Sequence, residues 1–268
     1  MNETETIAID LLDLDDISPR NIEDALGGGV YLIIGPSGSG KSRVIKSLLF
    51  SKRHFIPAVV AVSETEDLNN AYKPHVPQLF IYNKLEKGFV SKLQNRQTIG
   101  NQELKNSWLT VVFDDCMNKS TNFGQEDQIA LFKTGRHYKM FVLMSCQHSL
   151  DLKPAQRDNC AGVFIMKQDN EKNRDKIYLN FASIVPNKKI FDALMDALTS
   201  DYSCMYIDTR NPSQNWKDKI RWYKASDLST YGDWQATSLD VQEYNNDRFD
   251  KTYDNIHKKI VEIARNNI

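Results

Sequence analysis

The segment Gly35-Pro36-Ser37-Gly38-Ser39-Gly40-Lys41-Ser42 spells a complete G-x-x-x-x-G-K-S loop, and it follows the apolar run Val30-Tyr31-Leu32-Ile33-Ile34 directly. A loop of this kind cradles phosphate. Its glycines let the backbone curl so that successive N–H groups converge on an anion, and the helix opening behind it adds the positive end of its dipole. Lys41 is placed to reach the β- and γ-phosphates, and Ser42 to offer its hydroxyl to Mg²⁺. The ligand implied is a nucleoside triphosphate with magnesium.

Carboxylates stand where such a ligand needs them. Leu109-Thr110-Val111-Val112-Phe113 reads as a buried strand ending in Asp114-Asp115. The first acid is expected in the Mg²⁺ shell, and the second beside the γ-phosphate, where an ionised carboxylate orients and deprotonates the attacking water. A further strand, Met140-Phe141-Val142-Leu143-Met144-Ser145, runs to Cys146-Gln147-His148. An amide at its tip can contact the γ-phosphate or the lytic water, which makes Gln147 the candidate sensor of hydrolysis. Gly135-Arg136-His137 closes the helix before that strand. Arg136 could complement the helix dipole, or act as an arginine finger on a neighbouring subunit's γ-phosphate. Arg157 competes for the same role, and the residues alone leave the choice open.

Positioning these groups requires strands that end at one edge. Apolar β-rich runs recur at residues 58–62, 79–82, 109–113, 140–145 and 162–166, separated by stretches with helical spacing, notably 84–97 and 125–138. Alternation of this kind predicts an α/β fold with a mostly parallel sheet covered on both faces, and ligands in such sheets lie at the carboxyl ends of the strands. Beyond Lys176 the reading continues with a strand at 177–181, a helix at 188–198, and short strands at 204–208 and 221–224. The segment 240–268 is polar with a weak apolar stripe and is read as a surface helix. Gly27-Gly28-Gly29 reads as a flexible joint ending an N-terminal arm.

Bulk properties narrow the class. The 268 residues suffice for one sizeable core, and no apolar stretch approaches the length of a membrane span. Cys116, Cys146, Cys160 and Cys204 occur singly, without metal-ligand spacing, and are expected as buried reduced thiols. Residues 1–26 hold eight acids against Arg20 alone, a local −7 that leaves about +6 on the remainder. A mildly basic body beneath an acidic arm fits a protein that handles a polyanion.

The loop, the strand ending Asp114-Asp115, Gly135-Arg136-His137 and the strand running to Gln147 resemble, in order and spacing, the FtsK/HerA superfamily of DNA-pumping ATPases. The nearer likeness is to its viral branch, the genome-packaging ATPases of large nucleocytoplasmic DNA viruses, typified by the poxvirus packaging ATPase. Pro77-Gln78-Leu79-Phe80-Ile81-Tyr82-Asn83, Arg157-Asp158-Asn159-Cys160 and Asp201-Tyr202-Ser203-Cys204-Met205-Tyr206-Ile207-Asp208 are similar as well. The likeness covers residues 28–226, leaving an acidic arm at 1–27 and a polar tail at 227–268. It implies a P-loop NTPase fold of RecA-like, additional-strand type, with ATP and Mg²⁺ as cofactors. By the same likeness Gly35, Pro36, Ser37, Gly38, Ser39, Gly40, Lys41 and Ser42 hold the nucleotide, Ser42 and Asp114 the metal, and Asp115, Gln147 and Arg136 carry catalysis. Cellular members usually carry Glu where Asp115 stands, and a threonine is common where Cys146 stands. The function implied is ATP-driven translocation of double-stranded DNA into a capsid by a homo-oligomeric ring of five or six subunits. Its setting would be the cytoplasmic viral factory of an infected cell, or the virion, with capsid or inner-membrane proteins as partners. Two other readings are a DNA-processing motor or helicase of the same superfamily, and an ATP-switched assembly factor that translocates nothing. Residues 65–75 and 118–125 are polar connections in plausible places for pore loops.

Overall fold

The computed structural model describes residues 7–24, 27–116, 126–147 and 152–249. Its strands are β1 (Gly29–Ile34), β2 (Ala58–Ser63), β3 (Ile81–Tyr82), β4 (Leu109–Asp114), β5 (Met140–Cys146), β6 (Cys160–Met166), β7 (Ser203–Ile207) and β8 (Ile220–Lys224). They form one sheet in the order β3-β2-β4-β5-β1-β6-β7-β8. Every pairing from β3 to β6 is parallel, and β7 alone runs against both of its neighbours. The expected P-loop NTPase sheet is therefore present, and β1, which feeds the phosphate loop, lies at its centre.

Both faces of the sheet are buried, which is why its strands read as continuous apolar runs instead of alternating ones. On one face Val30, Leu32, Ile34, Val111, Phe113 and Val142 pack with Leu93 of α3 (Phe89–Glu103), Leu131 of α4 (Glu126–Thr134) and Phe191 of α7 (Lys188–Leu198). On the other, Tyr31, Ile33, Val112, Leu143 and Phe164 pack with Val44, Ile45, Leu48 and Leu49 of α1 (Lys41–Lys52). Odd and even positions of β1 thus serve opposite cores, as a strand's two-residue period demands.

Several expectations are corrected. Residues 177–181, read as a strand, are helical: α6 (Glu171–Ile177) runs on into a π-turn at Tyr178–Ala182. Asn170 caps α6 by accepting from the Asn173 N–H at 3.2 Å. Ile177 and Phe181, four residues apart, are buried while Leu179 between them is 71% exposed, a helical pattern and not an alternating one. In the run 79–82 a 3-10 turn, Gln78–Phe80, takes the first residues and leaves β3 only two. The helix expected at 84–97 begins later, behind Gly88 with its positive φ of 76°, and runs to Glu103. The expected helix at 125–138 is α4 followed by a 3-10 turn, Gly135–Tyr138.

Nor are the three glycines a loose joint. A side chain on Gly27 would lie 2.7 Å from Pro19 Cβ, and one on Gly28 2.6 Å from the Met140 carbonyl oxygen. They permit close packing. The arm before them is packed too, with Leu12, Leu14 and Ile17 buried. It pairs with the sheet edge through Leu12 N–H to the Trp222 carbonyl (2.8 Å) and Trp222 N–H to the Asp10 carbonyl (3.1 Å). Past β8 the chain folds back, and Trp234 stacks on His75 with centroids 3.8 Å apart. The Ala236 N–H donates to the His75 carbonyl at 2.8 Å, before α8 (Leu239–Arg248) begins. The remainder of the helix expected at 240–268 lies outside the described residues, as does 118–125.

The arm is anchored by a buried cation. Lys52, at the end of α1, donates to the carbonyls of Leu14 (2.8 Å) and Ile17 (2.7 Å). Burial lowers its ammonium pKa to about 8, against the opposing pull of Asp15, Asp13 and Asp16. The unfolded chain binds this proton more tightly, so the charged form burdens the folded state at neutral pH and that burden lifts as pH rises from about 8 towards about 10.5. Denaturant unfolding of wild type and Lys52→Met at pH 7.5 and 9.5 checks this. The wild type should gain stability relative to the variant at the higher pH, and an unchanged or reversed difference contradicts the linkage.

Candidate nucleotide-binding site

The parallel register brings the carboxyl ends of β1, β4 and β5 together. Ile34 of β1 lies beside Cys146 of β5, Phe113 of β4 beside Met144, and the Gly35 N–H donates to the Cys146 carbonyl at 3.1 Å. From this edge the loop 35–42 curls over the start of α1. Gly40 takes φ 98° as the residue capping α1, a conformation open to glycine at no steric cost. Gly35 is required for a different reason: a side chain there would lie 2.5 Å from Met166 Cβ on β6.

Lys41 is buried, and its ammonium donates to the carbonyls of Gly35 (2.9 Å) and Pro36 (3.0 Å). An ammonium has three donors, so one remains for an anion while the loop's own carbonyls fix the charge in place. Ser42 Oγ donates to Asp114 Oδ2 at 3.0 Å across 72 residues of sequence. The two residues expected to share a metal are thus already adjacent. One hydroxyl and one carboxylate beside a phosphate site match the hard-oxygen chemistry of Mg²⁺, which is commonly held by few protein ligands plus phosphates.

Asp114 is the most heavily bonded group of the site. Besides Ser42, Tyr72 OH donates to its Oδ2 at 2.7 Å and Ser145 Oγ to its Oδ1 at 2.6 Å. Tyr72 is fully buried, and burial together with the Asp114 charge and hydrogen bond pushes its phenol well above the usual value. It therefore remains a donor. Ser145 also accepts the Asp115 N–H at 2.9 Å, linking the two acids through one hydroxyl.

Asp115 itself has φ 52°, in the left-handed region, where a non-glycine residue incurs about 1–3 kcal/mol of strain. Gln147 Nε2 donates to Asp115 Oδ1 at 3.4 Å, so the structure brings the expected base and sensor together at the tips of β4 and β5. Arg136 is exposed and lies elsewhere, in the 3-10 turn before β5. The seven residues of β5 separate it from Gln147 by roughly 20 Å. Arg157, at the end of α5 (Pro154–Arg157) before β6, is at that far end too, and its Nη1 donates to the Leu152 carbonyl at 2.8 Å.

Sequence reasoning missed Tyr72 and Ser145. Ser145 carries a signal, a hydroxyl residue near the end of an otherwise apolar strand. Tyr72 lies in the connection 65–75, which reads as a solvated loop. That connection, which holds the short helix α2 (Glu66–Asn69), is in large part pinned inward. Glu66 is fully buried and accepts the N–H groups of Tyr72 (2.9 Å) and Lys73 (2.8 Å), and the exposed residues are Asp67, Leu68, Asn69 and Asn70 at the tip, with Pro74.

A parallel sheet covered on both faces, with a phosphate loop between its central strand and the next helix, defines the P-loop NTPase class. Solved structures share the fold. The genome packaging NTPase B204 from Sulfolobus turreted icosahedral virus 2, in complex with ATP-gammaS, has a TM-score of 0.53 over 74% of this chain and 97% of that one, at 15% identity. The pCW3 conjugation coupling protein TcpA, also with ATPgS, has a TM-score of 0.53 over 77% and 63%, at 11% identity. The family model described as Poxvirus A32 protein matches residues 30–208, and the chain belongs to that family. Protein 015R of Frog virus 3 (isolate Goorha) is 42% identical over 225 residues, 82% of this chain and 70% of the relative. Protein 075L of Invertebrate iridescent virus 6 is 36% identical over 252 residues, 91% and 98% of the two chains.

Removing the phenol hydroxyl tests whether Asp114 is held as described. Tyr72→Phe should destabilise the fold by about 2 kcal/mol, as expected for a hydrogen bond to a buried charge, and raise the Mg²⁺ concentration needed for half-maximal nucleotide binding. Unchanged denaturation and unchanged Mg²⁺ dependence would show that the bond holds nothing.

Proposed function

We propose that this chain is the subunit of an ATP-hydrolysing motor that moves double-stranded DNA into a viral capsid, working as a homo-oligomeric ring. The observation that carries the reading is the 3.0 Å contact between the hydroxyl ending the phosphate loop, Ser42, and the carboxylate ending β4, Asp114, in a chain of the Poxvirus A32 protein family. Fold likeness to a genome packaging NTPase supports it.

In this reading the loop N–H groups and the dipole of α1 bind the phosphates of ATP. Lys41 directs its remaining proton to the β- and γ-phosphate oxygens. Ser42 and Asp114 hold Mg²⁺, which when bound neutralises charge on the β- and γ-phosphates. Asp115 accepts the proton of the attacking water, which is the reason for its place off the metal. Gln147, within reach of Asp115 Oδ1, orients that water and registers the loss of the γ-phosphate. Arg136 is too distant to serve its own site, so it acts on the next subunit's γ-phosphate. Its exposure suits this better than the position of Arg157, whose guanidinium is tied to Leu152. An arginine supplied across a boundary raises phosphoryl-transfer rates by about 10³–10⁵-fold. DNA is gripped through its phosphates, so the affinity is nearly independent of sequence and falls steeply with salt.

ATP turnover of the purified chain should rise when duplex DNA of arbitrary sequence is added, and lose that rise at high salt. Turnover indifferent to DNA, with tight binding to a capsid or membrane protein instead, contradicts a motor and favours an ATP switch. Asp115→Asn should bind ATP without hydrolysing it, whereas Lys41→Ala should lose binding. Normal hydrolysis by Asp115→Asn would refute the base assignment. Arg136→Ala should be inactive alone, and mixing it with Asp115→Asn subunits should restore part of the activity at mixed boundaries. No recovery at any ratio argues against a finger in trans.

A further inference from the structure

Beside the phosphate loop, on the side away from Asp114, lies a cavity of about 310 Å³. Ser37 and Ser39 of the loop form one wall, Thr199 and Tyr202 the other, and Lys167 and Asp169 its polar rim. Strand order gives this position a meaning. The metal and base carboxylates follow β4, two strands from β1 on one side, whereas the turn bearing Tyr202 precedes β7, two strands away on the other. A triphosphate whose γ end meets Asp114 and Asp115 must send its nucleoside the opposite way, towards this cavity.

The turn at Asp201-Tyr202 is costly to build. Both residues adopt the left-handed region, with φ 50° and 59°; an aspartate enters it comparatively readily, whereas a bulky tyrosine there is an outlier. Two such residues in succession persist only where the surroundings over-determine them, and such positions cluster at ligand clamps. Here Asp201 is held by an ion pair with Lys224 on β8. The Ser203 N–H closes the turn on the Ser200 carbonyl at 2.9 Å. What the strain achieves is the presentation of an aromatic ring that the core does not use: Tyr202 is 66% exposed. Its Cδ1 would be 3.8 Å from a side-chain carbon built on Gly40, so the ring edge lies against the phosphate loop.

We propose that this cavity takes the ribose and base of the bound nucleotide, with the Tyr202 ring as the face on which the base stacks. The assignment rests on the reading of the loop as a triphosphate site and extends it to the nucleoside. Its volume is within the range of small-ligand sites, and its make-up, one aromatic face and a polar rim, suits a base and a ribose. A stacking face discriminates little between bases, because each offers a π surface. The site is therefore assigned to nucleoside triphosphates as a class, with the bulk of the affinity coming from the phosphates.

Binding of two Mg²⁺-loaded probes, a nonhydrolysable ATP analogue and inorganic tripolyphosphate, to the full chain separates nucleoside from phosphate recognition. Tyr202→Ala should weaken the ATP analogue about tenfold or more, the usual effect of removing an aromatic partner from a base, and leave tripolyphosphate unchanged. Retained tripolyphosphate affinity also shows that the variant is folded. Tyr202→Phe should bind the analogue like wild type, since the ring face and not the hydroxyl is used. Equal losses for both probes, no loss for either, or a Phe variant as weak as Ala would overturn the stacking role. A wild-type chain that binds neither probe would overturn the phosphate-loop reading itself, and this one with it. Binding of both probes with no Tyr202 effect overturns only the nucleoside site.

Discussion

A single buried carboxylate organises this protein. Asp114 accepts hydroxyl hydrogens from Ser42 on α1, Tyr72 in the connection after β2, and Ser145 on β5. Removing a carboxylate from water is costly unless it is hydrogen-bonded, and three donors at 2.6 to 3.0 Å meet that requirement. Since each donor comes from a different segment, satisfying one charge also sets the phosphate loop, the connection and the neighbouring strand at fixed distances from the tip of β4. Oδ1, which among the described residues accepts Ser145 alone, keeps room for a further partner.

From Asp114 a chain of contacts runs outward. Tyr72 is braced on one side by Asp114 and on the other by the buried carboxylate of Glu66, which receives its N–H. The same connection carries His75, against which the C-terminal Trp234 stacks, and Leu79, whose N–H is accepted by Asn245 Oδ1 at 3.1 Å. Direct contacts thus link Asp114 to the surface at Asp67–Asn70 and to the segment that folds back from β8. Left-handed backbone occurs at this edge of the sheet, at Asp115 on one side of the loop and at Asp201 and Tyr202 on the other, and also at Asn70 and at Lys139, which precedes β5 at the opposite edge. None of these residues lies within a strand.

Much of this was legible in the sequence. The phosphate loop, the places of most strands along the chain, their burial on both faces, and the assignment of Ser42 and Asp114 to one site follow from spacing and apolar runs. What escaped did so for identifiable reasons. Tyr72 sits among polar residues, and only the tertiary fold turns it inward to a carboxylate 42 residues away. The segment 177–181 has β-like composition, and its helical state is supported upstream by the Asn170 cap and downstream by Lys188, which pairs with Glu171 and Asp175 of α6. Gly27, Gly28 and Gly29 look alike on paper whether they loosen a chain or let it pass close to Pro19 and Met140. The strain at Asp115 and Tyr202 leaves no trace in composition, because both residues are ordinary in turns.

The central claim is that Ser42 and Asp114 hold one divalent cation against the phosphates of a nucleotide. Electron paramagnetic resonance of Mn²⁺ substituted for Mg²⁺ reads this directly, through the cation's coupling to phosphorus. The account predicts tight Mn²⁺ binding only when a nonhydrolysable ATP analogue is present, with phosphorus coupling, and marked weakening in Asp114→Asn. Mn²⁺ that binds equally without nucleotide, or is indifferent to the loss of the Asp114 charge, would contradict it.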